Sequence, residues 1–174
     1  TMDGVASSGN PAITNAGRIR ARFDAVRMDG DLVRVANTGE IVGTGANGME
    51  PGNADAAQLI KQGVISGCEE WIVISGDGYR ILDHGTVAGL DRAAIDLDVV
   101  TAVARALVVN TGTISTSDSQ GEPTILGVTD AGTSDVTRNS GRIDGGVARD
   151  AGDDRLVNHG AIDGDERPDR RRGR

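Results

Sequence analysis

Polar and apolar positions alternate in one short phrase that the chain writes seven times: ITNAGRI from Ile13, VANTGEI from Val35, LIKQGVI from Leu59, ILDHGTV from Ile81, VVNTGTI from Val108, TRNSGRI from Thr137 and LVNHGAI from Leu156. Each copy centres on a glycine, namely Gly17, Gly39, Gly63, Gly85, Gly112, Gly141 and Gly160, at steps of 22, 24, 22, 27, 29 and 19 residues. Counted from that glycine, position −4 is apolar in six copies, −2 is Asn in five, and +2 is Ile or Val in all seven. Like positions two apart are the signature of a strand with alternate side chains on one face. Positions −4, −2 and +2 are therefore expected to point inward. The −1 set (Ala16, Thr38, Gln62, His84, Thr111, Ser140, His159) and the +1 set vary freely and are expected to face out. A helix is excluded by Gly and Asn near the middle of every unit.

Units of about 20 residues that cannot bury their apolar face alone predict a solenoid in which each unit is one coil. A second inward segment recurs between the copies, with traces at Ala25-Val26, Trp71 to Ile74, Ala94 to Leu97 and Thr124 to Leu126. Two to three short strands per coil with right-handed crossovers predict an all-β, right-handed parallel β-helix of about seven coils. At roughly 4.8 Å per coil this makes a rod on the order of 35 Å long. Asn beside Gly is expected to form a corner, the Gly taking positive φ there. Asn15 and Asn37, then Asn110, Asn139 and Asn158, would stack into an amide ladder. Lys61 and Asp83 interrupt that ladder on adjacent coils, where they are placed to pair.

The expected organisation is an incomplete or frayed first coil over 1–12, a β-helix over 13–164 and an Arg-rich disordered tail over 165–174. The stretch 98–106 lengthens one coil as a short helix or an added strand, both left open. Ser115 to Pro123 reads as a protruding polar loop of the kind that carries binding.

The repeated V-x-N-x-G-x-I phrase, supported by Ala94 to Leu97 running on to Val108–Ile114 and by Ala151–Ile162, resembles the passenger domains of bacterial autotransporters and related haemagglutinin-like surface proteins. That resemblance covers about 13–164. It implies a right-handed β-helix, export to the cell surface, and an adhesive or scaffold role.

Composition narrows the chemistry. Phe, Trp and Tyr occur once each, so the core must be aliphatic. The single Cys68 excludes an internal disulfide framework. No stretch has the length and apolarity of a membrane helix, and no signal peptide opens the chain at Thr1. Net charge is −8, and setting aside the last ten residues leaves 13 basic against 23 acidic. A body this acidic argues against nucleic acid and anionic lipid as partners. The tail is open to two readings, a polyanion-binding arm or a solvated end.

Candidate sites are few. Asp31, Asp55 and Asp77 stand eight residues before the central glycine in three consecutive coils, and Asp153 and Asp154 hold the neighbouring positions in the last. Stacked in register, such carboxylates repel unless a cation such as calcium bridges them, or they are ordinary solvated turn residues. No cofactor is otherwise required, and no catalytic residue is assigned. His84 and His159 lie three coils apart, too far to cooperate, and Ser119 beside Asp118 has no histidine near it. Cys68, between Gly67 and Glu69-Glu70, lacks the electropositive setting of a reactive thiol. The leading expectation is a non-enzymatic extracellular or cell-surface solenoid acting as adhesin, stalk or self-assembling subunit. Its partners would be copies of itself through open coil ends, with the tail meeting Asp3 or Asp24, or a host glycan or protein. The alternative is a carbohydrate-active β-helix, a polysaccharide lyase or hydrolase or a glycan-binding module, using Arg80, Arg92 and Arg105.

Overall fold

The computed structural model describes residues 4–52, 56–68, 72–73, 78–89, 93–97, 105–117, 124–126, 134–148, 153–164 and 166–167. Among them every regular element is a strand, and all the strands pair in parallel into three sheets. The chain visits the sheets in a fixed rotation and so winds as a β-solenoid. The asparagine sheet contains the −5 to −2 stretch of each repeat, from Ala12–Asn15 to Arg155–Asn158. The isoleucine sheet contains the +1 to +4 stretch, from Arg18–Ala21 to Ala161–Asp163. The third sheet runs from Val5–Ser8 to Glu166–Arg167. Its first and last strands lie in the N-terminal stretch expected to fray and in the Arg-rich stretch expected to be disordered.

The phase of burial follows the period-two reading. The +2 residues Ile41, Ile65, Val87, Ile114 and Ile143 are all 0% exposed. At −4, Val35, Leu59, Ile81 and Val108 are buried, while Thr38, Gln62, His84 and Thr111 at −1 are exposed. The third sheet closes the core with Val26, Met49, Ile72, Ile95, Ile125 and Val147. Each fully buried aliphatic side chain contributes about 1.5–3 kcal/mol relative to solvent. Stacked in register, these side chains make continuous columns that any one-residue slip would turn outward.

The expectation of about seven coils overstates the packed solenoid. Among the described residues the asparagine and isoleucine sheets have seven strands each and the third sheet eight. Only five coils, however, have a neighbour on both sides in the first two sheets. The end coils show the difference: Ile13, Ile19, Leu156 and Ile162 are only partly buried, and Asn158 is exposed. The stretch 98–104 and most of the expected polar loop lie outside the described residues. Ser115 and Thr116, assigned to that loop from the sequence, belong instead to the strand Thr113–Thr116.

Candidate functional site

The −2 residues stack as the amide ladder the spacing suggested. Asn15 Nδ2 donates to Asn37 Oδ1 at 2.8 Å, Asn110 to Asn139 at 2.8 Å, and Asn139 to Asn158 at 2.9 Å. The same Nδ2 groups donate to the backbone carbonyl at +1 of the next coil, as Asn15 does to Glu40 and Asn110 does to Arg142. The Oδ1 of Asn15, Asn110, Asn139 and Asn158 also accepts its own glycine's amide, at Gly17, Gly112, Gly141 and Gly160. One side chain thus ties a corner to itself and to the coil above it.

The glycines serve a purpose other than the expected one. Among the described residues positive φ is confined to Gly9, Gly30, Gly78, Gly145 and Ala56, and none of the seven repeat glycines is among them. What they provide is close approach. The carbonyl of each glycine accepts the +1 amide of the next coil, for example Glu40 to Gly17 at 2.8 Å and Thr113 to Gly85 at 2.8 Å. A Cβ on Gly39, Gly63, Gly85, Gly112, Gly141 or Gly160 would sit 1.9–2.1 Å from the glycine carbonyl oxygen one coil below. At Gly17, which has no such neighbour in this chain, the nearest contact is Asn15 Oδ1 at 4.0 Å.

Lys61 and Asp83 replace Asn in two adjacent coils and do pair, Nζ to Oδ1 at 2.7 Å with both side chains 0% exposed. Asp83 Oδ1 also accepts the Gly85 amide, reproducing the Asn pattern on that side. On the other side, where Asn would present its Nδ2, Asp83 presents Oδ2, which has no hydrogen-bond partner among the described residues. Burial pulls the Lys61 ammonium below its usual 10.5, and the charge and hydrogen bond of Asp83 act in the opposite direction.

Of the aspartates spaced for a cation, Asp31 is exposed at a bend, and Asp55 and Asp77 lie outside the described residues. Among the described residues no three His, Cys, Asp or Glu side chains converge on a metal position. Asp154 and Asp135 use their carboxylates structurally, accepting the amides of Asp135 and Ala106 at 2.9 and 2.8 Å. Asp24, expected to meet the tail, is buried and accepts the Asn47 amide at 3.1 Å, so it is not an exposed docking charge. Cys68 Sγ lies 3.1 Å from the Thr44 carbonyl. His84 hydrogen-bonds Thr111 across one coil, and His159 is exposed. Of the arginines considered for a glycan groove, Arg80 and Arg105 are exposed, and Arg92 lies outside the described residues.

One surface went unnoticed in the sequence. Reading the outward positions −5, −3 and −1 of the asparagine sheet through all seven coils gives no aspartate and no glutamate. The same positions hold Arg34, Arg80, Arg138 and Arg155, all exposed, with His84 and His159 along one margin. The middle column is aliphatic at Ala36, Ile60, Leu82, Val109 and Val157. The other two sheets present acids outward: Glu40, Asp144 and Asp163 on the isoleucine sheet, and Asp29, Glu50 and Asp96 on the third. Near the last coils the face opens into a recess of about 370 Å³ lined by Val109, Arg138, Ser140, Arg155, Val157 and His159. The signal was present in the sequence. It needed the −3 and −5 columns to be read for charge, coil by coil, rather than the chain's net charge.

Comparison with protein-family models, with curated proteins and with solved structures yields no match.

Proposed function

We propose that this solenoid is a non-enzymatic structural element of a cell exterior, a stalk, adhesin scaffold or self-assembling subunit, wound as a right-handed β-helix. The observation that supports this most is the unbroken parallel register of three sheets, in which each coil adds the same increment of length. The inward side chains go to stacking, through the aliphatic columns and the amide ladder, and the outward ones are left free to vary. Right-handed winding is the form that parallel crossovers overwhelmingly take. The cell exterior follows from the resemblance of the V-x-N-x-G-x-I phrase to surface passenger domains. Copies would stack coil on coil, since the edge strands Ala12–Asn15 and Arg155–Asn158 carry backbone groups suited to a further strand. Calcium on the Asp31, Asp55 and Asp77 column belongs to the same proposal, on their sequence spacing.

A second reading, a glycan-binding module, draws on the acid-free face that includes Arg80. A glycosidase would need two carboxylates on that face, so binding fits it better than hydrolysis. Antibody labelling and protease shaving of intact source cells test the main proposal. Labelling without permeabilisation supports it, and a pool reached only after lysis refutes it.

A further inference from the structure

The outer face of the asparagine sheet is a basic, partly apolar strip on a chain whose net charge is −8. Its arginines have no ion-pair partner among the described residues. Two of the three exposed arginines of the isoleucine sheet do, with Arg18 on Glu40 at 3.0 Å and Arg142 on Asp163 at 2.6 Å, while Arg20 does not. Arg34 and Arg80 stand at −5 on the second and fourth coils, two strand spacings apart along the axis, roughly 10 Å, and Arg138 stands on the sixth coil in the neighbouring −3 column, in register with Leu82 and Val109. Arg155 follows on the seventh, beside the recess.

We infer that this face binds a linear polyanionic polysaccharide laid along the solenoid axis. One pyranose ring of an extended chain advances by about one strand spacing. A disaccharide carrying one carboxylate or sulfate therefore matches the two-coil step from Arg34 to Arg80, with Arg138 and Arg155 further along the same face. Ring C–H faces rest on the aliphatic column of Ala36, Ile60, Leu82 and Val109 between them. Guanidinium groups grip sulfate and carboxylate through paired N–H donors.

The shape of the charge pattern selects this partner over other anions. The strip is one strand wide and bordered by acidic sheets, so a narrow polymer avoids repulsion that a broad anionic membrane would meet. Single-stranded nucleic acid is held by aromatic stacking, and the outward positions of this face hold no Phe, Tyr or Trp, with His84 and His159 confined to one margin. An acidic peptide has charges to offer but no ring faces to lay on the aliphatic column. The inference deepens the glycan-binding reading of this face and is independent of the scaffold proposal, so it and the scaffold proposal can fail separately.

The test is calorimetric titration of the intact chain with heparin oligosaccharides at low and physiological salt. Polyglutamate, single-stranded oligothymidine and phosphatidylserine-containing vesicles serve as competing probes. The variant R34Q/R80Q/R138Q should weaken heparin binding roughly tenfold or more, about what the loss of three exposed ion pairs gives. The control R18Q/R27Q, on the other two sheets, should leave it unchanged, with circular dichroism confirming the fold of both. Salt should weaken binding to the parent. Absence of heparin binding at low salt, equal loss in both variants, or tighter binding to polyglutamate, oligothymidine or vesicles would overturn the inference.

Discussion

Replacing Gly85 with Ala should cost far more than replacing Gly17 with Ala, although both occupy the same position of the same phrase. In the folded chain a Cβ on Gly85 meets the Gly63 carbonyl oxygen at 2.1 Å and the Gln62 carbonyl oxygen at 2.5 Å. Carbon and carbonyl oxygen approach to about 3.3 Å in ordinary close contacts, so the two coils must part locally by about 1 Å. That parting stretches the bonds Thr86 N to Gly63 O, at 3.1 Å, and His84 N to Lys61 O, at 2.8 Å. Two weakened hydrogen bonds at about 0.5–1.5 kcal/mol each, added to about 1–3 kcal/mol for overpacking, give about 2–6 kcal/mol. For a chain of this size that lowers Tm by about 5–20 °C. At Gly17 the nearest contact is 4.0 Å and φ is not positive. Alanine there should be neutral or stabilise by about 0.4–1 kcal/mol, through the unfolded chain. Thermal and urea unfolding followed by circular dichroism gives both values. Equal effects of the two substitutions would refute the close-approach explanation of the repeat glycine.

Asp83→Ala should destabilise by about 3–5 kcal/mol, because it leaves the buried Lys61 ammonium without its partner. The double variant K61N/D83N should recover most of that in urea unfolding by completing the amide ladder, and failure to recover would show that the pair does more than fill two rungs. Because the folded state holds Lys61 below 10.5, the unfolded chain binds more protons between that lowered value and 10.5. Stability should therefore rise with pH across that window in the parent relative to Lys61→Met, and a falling difference would reverse the assigned cause. Adding calcium should raise the Tm of the parent, with a smaller gain in Asp55→Asn. No rise in the parent would leave the three aspartates as turn residues.

Much of the architecture was legible because inward and outward positions are written in different letters. Ile41, Ile65, Val87 and Ile114 at +2 contrast with Thr38, Gln62, His84 and Thr111 at −1, and the structure buries the first set and exposes the second. The third sheet was harder to bound. Its strands Ile72–Val73, Ile95–Asp96 and Ile125–Leu126 are two residues long, too short to show a period. The glycine was located correctly but explained wrongly, since a missing side chain reads the same whether it frees φ or admits a neighbouring carbonyl. Lys61 and Asp83 were placed by the repeat itself, which lines up unlike residues at one rung. The acid-free face was hidden by averaging, because a net charge of −8 describes the whole surface and not one sheet of it.

Paired cysteines on the outer face test the in-register stacking on which the account depends. In a Cys68→Ser background, Leu82→Cys and Val109→Cys occupy register partners on adjacent coils. Their Cα atoms are about 4.8 Å apart, within the roughly 4.4–6.8 Å that a disulfide spans. Leu82→Cys and Arg138→Cys are two coils apart, at roughly 10 Å, beyond that reach. Under mild oxidation the first pair should cross-link rapidly within the monomer and the second should not. Faster closure of the second pair, or of Leu82→Cys with Thr111→Cys, would mean that the coils do not stack in this register.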